Sequence, residues 1–248
     1  MGCARLRRLP LRAGPLEPPA PWAGLARMTT AAPDSRRWLL ALHSCSDLLG
    51  VGLQPLGQTE GPVLAIFPGG RDLSSALFGA IEQVLPAAAW PSLRRLAVSI
   101  GPGGFTGTRL TVTLARTLAQ ELGIPLDGVG SFHLIAQRVL AGGQSPGSAP
   151  VALVQELPRH GLVAGLYGLD ALAPGGVAEV KIPRLYRSEA DLEEAMGAAL
   201  RHPAVALVPQ DVEQLLRHSQ AAALAQRPGP WQSVLPIYPT SPVEVGLP

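Results

Sequence analysis

The chain has 248 residues, of which 47% are hydrophobic and 15% charged, proportions that are typical of a globular protein and exclude a disordered one. Aromatic residues make up only 4%, which argues against the base-stacking surfaces of single-strand binders. The formal net charge is +2, but residues 1–27 hold five arginines against one glutamate, which leaves −2 for residues 28–248. The body therefore lacks the basic stripe that direct capture of nucleic acid needs.

The two ends of the chain differ from its body. Residues 1–37 show no periodic apolar pattern and no apolar signal-peptide core, so we expect either a disordered tail or a start assigned too early, with Met28 as the true start.

No apolar run reaches the roughly 18–20 residues of a membrane span. The cysteines, Cys3 and Cys45, form neither a disulfide framework nor a zinc site, and a reducing cytoplasm suits them best. Residues 236–248 are predicted to be a C-terminal tail.

Residues 38–142 are predicted to form a first lobe of alternating strands and helices. Its strands are expected at 38–42, 49–53, 63–67, 96–100 and 126–129. Its helices are expected at 72–84, 108–122 and 131–141. Three strands followed by alternating helices and strands is the element order of a ribonuclease-H-like half.

A glycine- and serine-rich linker at 143–150 precedes a second lobe at 151–235. Strands are predicted there at 151–154, 162–166, 177–183 and 204–208, and helices at 189–200 and 211–225. The element order partly repeats that of the first lobe. Two such halves in tandem predict an α/β protein with the actin-like (ASKHA) fold of two ribonuclease-H-like lobes.

A glycine-rich loop joins the predicted strand at 96–100 to the helix at 108–122. Its glycines are Gly101, Gly103, Gly104 and Gly107. Free backbone amides and the helix dipole favour anions at such a place. However, Thr108 and Arg109 replace the Lys-Ser/Thr end of a Walker A loop, and Thr106 stands where G-x-G-x-x-G needs its last glycine. A phosphate cradle that includes Arg109 and a tight structural turn are therefore equal alternatives.

The same residues carry a family resemblance. Residues 99–109 closely resemble the G-P-G-S-F-T-G-x-R signature of the TsaB (YeaZ) family, and 119–131 are similar to its A-x-x-L-G-I-P-L-x-G-V-S-S segment. Residues 236–239 resemble its C-terminal P-x-Y-L-R. The match is strong over 96–135, weaker over 38–95 and thin over 151–233.

The resemblance implies a role in making threonylcarbamoyladenosine in tRNA. In that family the TsaB-like member has no chemistry of its own and pairs with a TsaD paralogue, which holds the metal and transfers the threonylcarbamoyl group. A small ATPase, TsaE, joins them. The resemblance thus implies a non-catalytic pseudo-enzyme that binds no cofactor alone, reaches tRNA only through the complex, forms a possible homodimer and has no membrane partner.

The chain departs from the family pattern at three places. The opening strand usually ends in Asp-Thr-Ser, whereas here it ends at His43, Ser44 and Cys45, without the carboxylate that organises Mg²⁺ beside phosphates in actin-like ATPases. Gly104 replaces the usual serine. The second-lobe motif Asp-Ala-Arg-Arg-Gly-Glu-Val is reduced at 157–163, which lacks both acids.

No catalytic or metal-binding residue is predicted. A metal site in the catalytic paralogue uses two histidines one helical turn apart, and the matching positions here are His133 and Gln137. The other histidines are also unpaired at metal-ligand spacing, and no serine lies in a G-x-S-x-G context. An actin-like ATPase and a metallopeptidase-like hydrolase acting alone remain the alternatives.

The two helices beside the glycine loop are predicted to dock the paralogue, as the resemblance implies. The predicted interface residues are Leu73, Leu77, Phe78, Ile81, Leu110, Leu114 and Leu118. The alternative is that these apolar stripes simply cover the sheet, which must hold for one face of each helix.

Overall fold

The computed structural model describes residues 37–57, 61–142 and 149–239. The predicted tail before Arg37, most of the linker and the end of the C-terminal tail lie outside these residues. The strands are β1 Trp38–His43, β2 Leu48–Pro55, β3 Val63–Pro68, β4 Leu93–Ser99, β5 Leu126–Val129, β6 Val151–Leu157, β7 Gly161–Leu169, β8 Val177–Tyr186 and β9 Leu200–Pro203. The helices are α1 Leu73–Val84, α2 Phe105–Leu122, α3 Ser131–Ala141, α4 Glu189–Met196 and α5 Val208–Leu224.

The first sheet has the order β3-β2-β1-β4-β5. β1 and β2 form an antiparallel pair, as do β2 and β3, whereas β1 with β4 and β4 with β5 are parallel pairs. Because side chains alternate along a strand, Leu40 and Leu42 of β1 pack in one cluster with α1 and α2. Leu39 and Ala41 pack in a second cluster with α5. Burial on both faces explains why β1 is continuously apolar.

The second sheet has the order β8-β7-β6-β9 and repeats the first four positions of the first sheet. β6 is antiparallel to β7 and parallel to β9, as β1 is to β2 and β4. Among the described residues this sheet has no counterpart of β5. The repeat is the tandem arrangement that the element order predicted.

Each lobe contributes a helix to the other lobe's core. α3 follows the first sheet, yet its Phe132, Ile135 and Val139 pack in one cluster with Val151 and Leu153 of the second sheet. α5 follows the second sheet, yet it packs on the first. Separating the lobes would expose an apolar helix face on both sides. The linker at 143–150 stays a prediction. The helices on either side of it pack on the sheet of the opposite lobe.

In the second lobe, the end of one predicted helix and the position of one predicted strand were wrong. The helix expected to reach residue 200 ends at Met196, because Gly197 adopts φ 58° and closes it. The strand expected at 204–208 lies at Leu200–Pro203, where it pairs with β6. Val208 is instead the first residue of α5, with a proline in the first turn, where the missing amide is tolerated.

The segment 227–238 returns over the first lobe. Leu126 N donates to Gly229 O (2.8 Å), and Ile237 N donates to Ile100 O (2.7 Å). Val234 is buried in the cluster that the first sheet forms with α1 and α2, which we call the first core. The segment covers the outer side of β5, which would otherwise be an unprotected sheet edge. No helix in the described part of the chain is both long and apolar enough to span a bilayer.

Candidate functional site

Close backbone packing accounts for two of the four loop glycines, and a positive φ accounts for a third. A Cβ atom at Gly103 would lie 2.2 Å from the Cys45 carbonyl oxygen, and one at Gly107 would lie 2.9 Å from that of Ser44. Gly101 has φ +96°, a conformation that other residues rarely adopt. Gly104 alone has open space, with nothing within 4 Å. The loop is therefore packed against the turn that follows β1.

Hydrogen bonds fix the loop in this position. Gly104 N donates to Cys45 O (3.1 Å), and Ser131 N donates to Gly101 O (2.7 Å). The Ser131 hydroxyl donates to Pro102 O. These bonds join the loop to the turn after β1 and to the start of α3. Of the two alternatives for the loop, the geometry supports the structural turn; phosphate binding stays untested.

A buried polar cluster lies beneath the loop and was not predicted. Cys45 Sγ lies 3.2 Å from Ser99 Oγ, and Ser44 Oγ donates to Thr111 Oγ1 at 2.7 Å. Burial raises the pKa of the Cys45 thiol, so the thiolate that a nucleophile requires is disfavoured. The cluster supports the loop from below. Sequence reasoning missed it because its members come from separate elements.

His43 replaces the usual aspartate and is fully buried. Neither ring nitrogen has a partner in another described residue. Burial lowers the pKa of His43 to about 4, so the ring is neutral at pH 7. A buried neutral imidazole cannot do the work of a carboxylate that faces a bound Mg²⁺.

A cleft of about 340 Å³ separates the loop from the second lobe. Its lining includes Cys45, Asp47, Gly104, Ser131, Gln155 and Ala204. A neighbouring hollow of about 400 Å³ lies at the N-terminus of α2. Asp47 is the one charged side chain among the described residues that line either; Arg109 is exposed elsewhere on α2. A carboxylate without a cation opposes phosphate binding.

The structure corrects most of the predicted partner surface. Leu73, Leu77 and Ile81 are at most 1% exposed, and they belong to the first core. Leu114 and Leu118 are also buried there. These stripes cover the sheet, because a surface helix turns its most apolar face to the core. Sequence periodicity identified the two apolar stripes but could not show whether they pack on the sheet or on a partner.

Two of the predicted interface residues remain accessible. Phe78 is 53% exposed and stacks on Trp90, with ring centroids 6.3 Å apart. Leu110 is half-buried. We define the outer face by eight residues of α1 and α2, all exposed except the half-buried Leu110: Ser75, Phe78, Gly79, Glu82, Thr106, Arg109, Leu110 and Thr113. Phe78 is the one large, mostly exposed apolar side chain on it.

The sequence suggested that His133 is an isolated histidine, but in the structure it contacts a second one. Its ring meets that of His218 of α5 edge-on, with centroids 6.1 Å apart. His133 Nε2 lies 3.3 Å from Pro174 O, and Gln137 Nε2 donates to the same oxygen (3.4 Å). Among residues 37–57, 61–142 and 149–239 there is no group of three or more His, Cys, Asp or Glu residues suited to a metal.

Comparisons of sequence match short segments. The family described as TsaD, tRNA N6-adenosine threonylcarbamoyltransferase, matches residues 68–163. The tRNA threonylcarbamoyladenosine biosynthesis protein TsaB of Bacillus subtilis (strain 168) is 48% identical over 44 residues, 18% of this chain and 19% of that protein. TsaB of Buchnera aphidicola subsp. Schizaphis graminum (strain Sg) is 39% identical over 46 residues, 18% and 22% of the two chains. The chain thus matches about a fifth of these relatives' length.

Comparisons of structure extend over both lobes. YeaZ from Pseudomonas aeruginosa has a TM-score of 0.61 and 19% identity, covering 82% of this chain and 99% of that one. A protein described as similar to peptidase YeaZ, from the same organism, has a TM-score of 0.62 and 20% identity, covering 82% and 100%. The short sequence matches and the shared fold together confirm the actin-like fold of two ribonuclease-H-like lobes and the resemblance to the TsaB (YeaZ) family.

Proposed function

We propose that this chain is a non-catalytic scaffold subunit of the assembly that makes threonylcarbamoyladenosine in tRNA. It docks a TsaD-like catalytic paralogue through the outer face of α1 and α2. The observation that carries the proposal is the contrast between the glycine loop and the helices beside it. The loop packs on its own chain, whereas the adjacent helices leave Phe78 accessible.

Features of the cleft support a non-catalytic role. Gly103 and Gly107 leave no room between the loop and the turn after β1. His43 is buried, and the thiol of Cys45 has a raised pKa. In the assembly, a TsaE-like ATPase supplies nucleotide chemistry, and tRNA is held through the complex because residues 28–248 carry a net −2.

The isolated chain is expected not to bind ATP·Mg²⁺. The cleft offers Asp47 but no cation among its described lining residues, so the phosphate charge that Mg²⁺ leaves unneutralised would have no protein partner. Isothermal calorimetry of ATP with Mg²⁺, and of Zn²⁺ alone, tests this. Micromolar ATP affinity would favour the actin-like ATPase, and stoichiometric zinc would favour the metallopeptidase-like hydrolase.

Phe78→Asp is expected to leave folding intact and to weaken paralogue binding on the order of 100-fold. Phe78 is 53% exposed in the free chain, so a carboxylate stays solvated there. At an interface it would be buried without a partner, which costs several kcal/mol. Titration of the TsaD-like partner with the variant, alongside circular dichroism, measures both effects.

Two controls define the face. Leu172→Asp alters a side chain that is 96% exposed on the second lobe, and it should change neither folding nor binding. Leu77→Asp places a charge in the first core and should unfold the chain. Normal binding by folded Phe78→Asp would disprove docking through this face. Gel filtration of the same variants shows whether a homodimer uses it too.

A further inference from the structure

The contact between α3 and α5 holds the lobes together, since each of these helices packs on the opposite lobe's sheet. Two pairs of side chains join the helices. His133 faces His218, and Arg138 Nε donates to Asp211 Oδ1 at 3.2 Å. The order of the pairs shows that the helices run antiparallel.

We propose that His133 and His218 form a proton-sensitive latch between the two lobes, and that a proton on this pair loosens the contact between α3 and α5. The proposal goes beyond scaffolding and does not depend on the docking partner. It adds a conformational device at a place that the glycine loop and the outer face do not include.

The geometry gives the buried Nδ1 of His218 no carboxylate to donate to among the described residues. His218 Nδ1 is buried with no hydrogen-bond partner in the described chain, and the same holds for Gln137 Oε1. The rings meet at 89°, and the other edge contact of His133 is with Tyr167, at 6.1 Å. A protonated ring of either histidine would contact the other histidine, and a protonated His133 would also contact Tyr167.

The carboxylates that face the pair are already engaged. Asp127 of β5 accepts two hydrogen bonds from Arg95 of β4, at 2.6 and 2.7 Å, and one from Ser219. Glu179 of β8 accepts from the Tyr167 hydroxyl at 3.1 Å. The charged and titratable groups that act on the pair are Glu179 and Tyr167 near His133, and Asp127, Arg95 and Arg227 near His218.

The protonation energetics have the sign that the proposal needs. The pKa of His218 is lowered to about 4, mainly by burial; His133, Arg227 and Arg95 also lower this pKa, and Asp127 opposes them. Burial also lowers the pKa of His133, against the Pro174 carbonyl and Glu179. Both folded pKa values lie below the ordinary 6.5. The contribution to stability is therefore complete above pH 6.5 and is lost as the pH falls towards 4.

Two other groups titrate in the background. Burial lowers the pKa of His43 and raises that of Asp211, so acid acts in opposite directions through them. Asp211 also accepts from Leu207 N (2.8 Å) at the start of α5. Variants of the histidine pair leave both groups unchanged, so a comparison between variants isolates the latch.

The test uses the full chain as wild type, His133→Gln, His218→Gln and the double variant. Hydrogen-exchange protection of α3 and α5 amides is compared at pH 7.5 and 5.5. For an opening that exposes His218, wild-type protection should fall about tenfold more than that of His218→Gln, as follows from pKa values of about 6.5 open and about 4 closed.

A second readout separates the latch from a packing role. An NMR titration of the imidazole should show a higher His218 pKa in His133→Gln, since a neighbouring basic ring is gone. If the two histidines had only a packing role, the loss of amide protection between pH 7.5 and 5.5 would be the same in all four proteins. Equal responses, or a His218 pKa unchanged in His133→Gln, would overturn the proposal.

Discussion

Asp127→Ala is expected to lower the free energy of unfolding by about 3–5 kcal/mol. Arg95 Nε lies 2.6 Å from Asp127 Oδ2, and the two side chains are only 4% and 11% exposed. Arg95 Nη1 also donates to Arg227 O (3.0 Å), which ties the returning segment to β4. Removing the carboxylate leaves a buried guanidinium without its counterion. Urea denaturation measures the loss.

A surface ion pair and a double variant serve as controls. Arg201 and Glu189 are 2.8 Å apart but 33% and 66% exposed, so Glu189→Ala should cost less than about 1 kcal/mol. Arg95→Leu combined with Asp127→Leu should be more stable than Asp127→Ala, because no buried charge remains. A loss below about 1 kcal/mol for Asp127→Ala would show that the pair is solvated.

Gly103→Ala is expected to destabilise the protein by about 3 kcal/mol or more, at the upper end of overpacking effects. The added Cβ would lie 2.2 Å from the Cys45 carbonyl oxygen. That oxygen belongs to the backbone and also accepts from Gly104 N, so it cannot move without breaking the turn. Thermal unfolding followed by circular dichroism measures the shift.

Gly104→Ala is the matched control one residue along the loop. Nothing lies within 4 Å of a Cβ atom there, and its φ of −55° suits any residue. Its stability should change by no more than about 0.5 kcal/mol. If the two variants behave alike, the loop is not packed on the turn after β1, and its amides would be free for an anion.

Local pattern by itself determined the elements of the first lobe, except that α2 begins at Phe105, inside the predicted glycine loop, and not at 108. The helix predicted at 72–84 is Leu73–Val84, and the one predicted at 131–141 is Ser131–Ala141. These signals are short-range: periodic apolar residues and a strand–glycine–helix junction fix the backbone within a few residues. The order of such elements was enough to predict two ribonuclease-H-like lobes.

Only the tertiary structure decided which residues meet. A helical stripe marks one apolar face, but only the packing of α1 on the first sheet showed that Leu77 is buried and Phe78 is exposed. The exchange of α3 and α5 joins His133 to His218, and the register of β4 with β5 allows Arg95 to reach Asp127. These partners lie far apart in the sequence. Their contacts follow from how whole elements pack, and no local periodicity encodes that.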